Sequence, residues 1–236
     1  MDKVLEGFSR YTITGGTPAA LTRVKMQMLY SALWSIGFAD GIVNEPMLAT
    51  AVAGQVLDCD SSAYLIIGAA HELGWPVGIV PAPEHIFLRY DDGDGIRFNI
   101  DMGHIHNDRY YMDLFGIDRR AVRNGVFLKT MGRAYIVSNA LINRSYHWQH
   151  ETGDIEKALK GLEEALDIAP KNTLALINYI RTLTSLAGKL SWLQEIKEDL
   201  AKRLGRPRPK PRMAPDEVKA IYDKALAENR RLQSLG

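Results

Sequence analysis

The sequence predicts an α+β protein: an antiparallel sheet packed on a buried helix, followed by an all-α helical region. A nearly continuous apolar run, "AYLIIGAA", is followed by "VGIV", "HIFLRY" and "IRFNID", which alternate like strands around the turn "DDGDG". From residue 129 onward helical periodicity replaces strand alternation. The proline-rich "GRPRPKPRM" then separates a last helical stretch. These shifts divide the 236 residues into a mixed domain at 1–128, a helical region at 129–205, and a linker with a C-terminal helix at 206–236.

Each element follows from its own signals. "PAALTRVKMQMLYSALWSIGFADG" predicts an amphipathic helix with Pro18 near its start and Gly41 as its stop. "DSSAYLIIGAAHEL" predicts a buried helix, capped by Asp or Ser and stopped by Gly74 and Pro76. The strands follow, and the stretch after Gly103 reads as loop. "PDEVKAIYDKALAENRRLQ" begins with Pro-Asp-Glu and carries Arg near its end, as a helix prefers; it either docks on the preceding helices or stands apart.

Composition excludes some function classes. Lys plus Arg number 29 against 28 Asp plus Glu, a net charge of +1, so no field draws the chain to nucleic acid or an anionic membrane. "MDKVLEGFSRYTITGG" lacks the basic and apolar segments of a signal peptide, and no run is long enough to span a bilayer. The expected compartment is cytoplasmic, where a thiol stays reduced. There is one cysteine, Cys59, so no intrachain disulfide forms. "TITGGTPAAL" lacks the lysine of a phosphate loop, and "DDGDG" lacks the glutamate of a calcium loop. His104 and His106, near Asp101 and Asp108, are residue types that suit zinc or manganese, but two solvated loop histidines explain them without a metal. His71 reads as a core histidine, and His147 and His150 as helix-surface residues. No cofactor and no metal are expected.

Cys59 is the candidate nucleophile. It lies just ahead of the buried helix, where unpaired amides and the helix dipole favour a thiolate, while Asp58 and Asp60 oppose one. A hairpin centred on Gly93 pairs residues whose numbers sum to 186, which makes His85 and Asp101 cross-strand partners with Cβ atoms roughly 5 Å apart. Alternation places His85, Phe87 and Arg89 on one face with Arg97, Asn99 and Asp101. In that register His85 takes the thiol proton, Asp101 fixes the imidazole tautomer, and Cys59 attacks a carbonyl. The Cys59 amide and Gln55 are the candidate oxyanion donors.

The segments "LDCDSSAYLIIGAAHELGWPVGIVPAPEHIFLRY" and "RFNIDMG" resemble the transglutaminase-like branch of papain-type cysteine proteins, in the bacterial form joined to tetratricopeptide repeats. The resemblance implies a papain/transglutaminase-like core with Cys59, His85 and Asp101 as a triad. It implies cleavage, deamidation or cross-linking at amides of a peptide or protein, or a lineage that has lost activity. Glu84 departs from the glycine common before the histidine, and no "GQCW"-type motif is present. The alternative class is a non-catalytic peptide-binding module using the same cleft.

The helical region supports the same family. Gly153, Ala158, Leu162, Ala165 and Pro170 resemble the second helix of a tetratricopeptide repeat, with "AYIVSNALINRSYHWQ" as the first. Residues 174–204 read as a degenerate second helix pair with Trp192 at a small-residue position. Such a region either recruits a protein partner or buttresses the cleft.

Overall fold

The computed structural model describes residues 2–10, 15–41, 47–203 and 214–235. Helices α1 (Asp2–Ser9) and α2 (Pro18–Ser35) pack together where Gly7 approaches Ala32. Thr17 caps α2 and Pro18 occupies its first turn. The helix stops at Ser35 rather than near Gly41, because Gly37 takes a left-handed φ of 101° and turns the chain into β1 (Ala39–Asp40). β1 pairs in parallel with β2 (Val56–Leu57), across the short α3 (Leu48–Gly54).

α4 (Cys59–Glu72) starts one residue earlier than "DSSAYLIIGAAHEL" suggested. Asp58 and Ser61 form a reciprocal capping box, so Cys59 is the first helical residue rather than the one ahead of it. The four strands β3 (Val77–Ala82), β4 (His85–Asp91), β5 (Arg97–Asp101) and β6 (His104–His106) form an antiparallel sheet in sequence order. β6 corrects the loop expected after Gly103. Met102 and Gly103 both have positive φ, 46° and 85°, and make the two-residue hairpin turn whose twist suits adjacent strands.

One face of the sheet buries Ile79, Ile86, Leu88 and Ile100 against Met26, Leu29, Leu33, Ala63 and Ile66 of α2 and α4. The opposite face, with Val80, Ala82 and Phe87, is covered by Tyr111 of α5 (Asp108–Phe115), Ala121 of α6 (Arg119–Arg123), and Val126 and Leu128. Arg89 belongs to this second face and is only 1% exposed. Its guanidinium donates to Asn99 at 2.7 Å, to the Leu128 carbonyl at 3.0 Å and to Thr130 at 3.3 Å, and pairs with Asp108. That network ties the sheet to the 117–130 connection.

α7 (Arg133–His150) and α8 (Ile155–Ile168) are the expected antiparallel pair. The second pair does not form: α9 runs unbroken from Thr173 to Arg203. No proline or polar turn interrupts the stretch, and Gly188 alone costs only about 1 kcal/mol within a helix. The last helix, α10 (Pro215–Leu235), docks rather than standing apart. Ala225 is buried with Leu176, Tyr179 and Leu183 of α9, and Lys224 reaches Glu163 at 2.9 Å. The basic linker between α9 and α10 lies outside the described residues. Among those residues no helix is long and apolar enough to cross a membrane. The architecture is α+β, an antiparallel sheet with helices on both faces and further helices after it.

Candidate active site

The β4–β5 hairpin differs from the expected register by two residues. Leu88 faces Ile100 and Asp91 faces Arg97, so paired numbers sum to 188, a register that would set Asp101 level with Phe87 rather than His85. The loop spans residues 92–96 because Asp92 accepts the amides of Asp94 and Ile96, centring the turn on Asp94. An even shift preserves side-chain parity, so His85 and Asp101 still share a face as diagonal neighbours. They meet: His85 Nε2 lies 2.7 Å from Asp101 Oδ2. Tyr111 adds its hydroxyl to the same carboxylate oxygen at 3.5 Å, and Phe115 stacks on the imidazole with 5.5 Å between centroids. Nδ1 is the ring nitrogen that Asp101 does not engage.

Cys59 approaches from the other face of the sheet. The β4–β5 ladder stops at Leu88 and Ile100, so the start of β4 parts from the β5–β6 turn. The N-terminal end of α4 meets both sides of this split. Ser62 donates to Met102 Sδ at 2.9 Å, and the Cys59 sulfur faces the backbone amide of Ile86, the residue after His85. That amide is available because even-numbered residues of β4 direct their N–H groups toward β5, as Asp92 just past the strand does to the Ile96 carbonyl, and the β4–β5 ladder ends at Leu88 before it reaches Ile86. No hydrogen bond joins Cys59 to His85; the hydrogen bond the thiol makes is to Asp60 Oδ1 at 3.7 Å.

The electrostatics favour a protonated thiol. Burial pushes Cys59 up to about 12, with Asp60, Asp58 and Asp101 adding repulsion and the Ile86 amide partly offsetting it. Asp60 is itself raised to about 6 by burial and by Asp58, against the Asn143 amide, the thiol and His85, which favour its charged form. Tyr30, fully buried, is pushed up by desolvation and by Asp101, Asp40 and Cys59. Asp58 and Asp60 act on the thiol as the sequence indicates, but sequence reasoning missed Asn143, Tyr30 and Tyr111 as neighbours of the site. Asn143 and Tyr111 come from helices distant in sequence, and no spacing rule connects them to Cys59.

Gln55 does not join this constellation. It ends α3 in a left-handed conformation, is exposed, and donates its side-chain amide to the Ile36 carbonyl at 3.5 Å. The backbone amide that does face the sulfur is that of Ile86. His104 is exposed, and His106 stacks on Tyr110 at 3.8 Å. Among the described residues no three His, Cys, Asp or Glu side chains are grouped to hold a metal ion.

A cavity of about 550 Å³ opens beside His85. The β3–β4 turn forms one wall, and Phe127, Tyr135, Leu174 and Ile177 form the others. In comparisons with known proteins, no family model, no curated protein and no solved structure matches this chain.

Proposed function

We propose that this chain is a transglutaminase-like, cysteine-dependent amide hydrolase or acyl transferase acting on a peptide or protein through a Cys59 thioester. The observation that carries the reading is the 2.7 Å His85–Asp101 hydrogen bond, made at the strand end where Cys59 opens a capped helix. Asp101 holds the Nε2 side of the imidazole and leaves Nδ1 as the base. Because the thiol is neutral at rest, His85 takes its proton as the sulfur attacks the substrate carbonyl. The C–S bond forms as the C–N bond breaks, and His85 returns the proton to the departing amine. Water or a second amine then resolves the thioester, giving hydrolysis, deamidation or transamidation. The amides at the start of α4 and at Ile86 face the developing oxyanion.

The raised thiol favours a second reading, a non-catalytic module that holds a peptide in the same cleft. Iodoacetamide alkylation of the native protein from pH 4 to 9, beside His85→Ala, separates the two. The catalytic reading expects a rate near pH 7 that falls at least ten-fold in the variant. A rate that rises only at or above the free-thiol pKa of about 8.5, identically in both proteins, leaves the binding reading.

A further inference from the structure

Resting on that reading, we infer that the site takes peptides with a bulky apolar side chain next to a basic residue, and that the helical region supplies the wall that selects them. The cavity beside His85 is of ligand-binding size. Besides His85 itself, which lines it, the cavity touches the proposed chemistry at two further points. Ile86 lines it and also presents its amide to the Cys59 sulfur, while Tyr135 lines it and feels the charge of Asp60. Its apolar wall is Phe115 and Phe127 on the sheet side, Tyr135 of α7, and Leu174 and Ile177 of α9. The helices after residue 129 thus complete this pocket.

Glu84 supplies the charge preference. It stands in the two-residue β3–β4 turn after Pro83 with a left-handed φ of 53°, a conformation glycine adopts with less strain. Its carboxylate is 74% exposed and lines the cavity. Its partner is Arg181 at 3.7 Å, which is 67% exposed and does not line the cavity. An exposed ion pair of this kind is easily exchanged, so a substrate cation displaces Arg181 and meets Glu84 directly.

The test is made on the 236-residue chain carrying Cys59→Ala, so that binding is read without chemistry. Titration calorimetry compares acetyl-Lys-Phe-amide, acetyl-Lys-Gly-amide and acetyl-Glu-Phe-amide. The phenylalanine peptide is expected to bind at least ten-fold more tightly than the glycine peptide, and several-fold more tightly than its glutamate analogue. Ile177→Trp, which fills the pocket from α9, abolishes the first preference. Glu84→Gly abolishes the second and leaves the first intact. Equal binding of the three peptides, or binding by none, overturns the inference. The alkylation experiment judges the catalytic reading independently, because it needs no peptide.

Discussion

Replacing Asp60 with Asn tests the electrostatics of the site most directly. Its Oδ1 lies 3.7 Å from the Cys59 sulfur. Two unit charges at that distance repel by roughly 4 kcal/mol at an effective dielectric of about 20, and by about 1 kcal/mol in water. Removing the charge is therefore expected to lower the thiol from about 12 by about one to three pKa units. The iodoacetamide rate at pH 8 to 9 should rise about ten-fold or more. Stability carries a second signature. Burial and Asp58 push the Asp60 carboxyl up to about 6 in the fold, well above an ordinary aspartate, so the folded protein holds its proton more tightly than the unfolded chain. Its contribution is most favourable below about pH 4 and is lost as pH rises through 6, by up to about 3 kcal/mol. Asp60→Asn should abolish this slope, and urea unfolding should show the variant's advantage over the wild type to be larger at pH 8 than at pH 5 by about 1.5 kcal/mol. An unchanged alkylation profile together with an unchanged pH dependence would refute the reasoning.

Other substitutions test the packing. Arg89→Ala leaves the Leu128 carbonyl and Asn99 without their buried donor and opens a cavity, so a loss of about 3 kcal/mol or more is expected in urea unfolding; a loss below about 1 kcal/mol would contradict the network. At Gly161 an added Cβ would come within 2.3 Å of Ser145 Oγ and 3.1 Å of Trp148, forcing α7 and α8 apart. Gly161→Ala should cost about 1–2 kcal/mol despite the better helix propensity of alanine, and a raised melting temperature would show that the close approach is not there. Leu176→Ala, within the cluster that joins α8, α9 and α10, should cost about 3–5 kcal/mol in the same unfolding assay.

How legible the chain was depended on the range of the physics. Capping is local, and "DCDSS" followed by an apolar run was enough to place a helix start within one residue of Cys59. Strand parity is local too. A register error of two residues left His85 and Asp101 on one face, because alternation has period two and only an odd slip separates them. The turn centre itself was decided by Asp92 accepting the Asp94 and Ile96 amides, a choice that "DDGDG" leaves open. Likewise, the unbroken α9 depended on packing against α8 and α10, which overrides a weak glycine interruption.

The sequence by itself determined the α+β class, the order of the chemical groups along the chain and the shared face of His85 and Asp101. Tertiary structure alone decided that Asp60 is desolvated beside the thiol, that Gln55 turns to Ile36, and that α7 and α9 wall the cavity at His85. The physical reason is distance. Caps and alternation act within a few residues, whereas desolvation, close charge pairs and cavity walls are set by segments that meet only after the chain has folded.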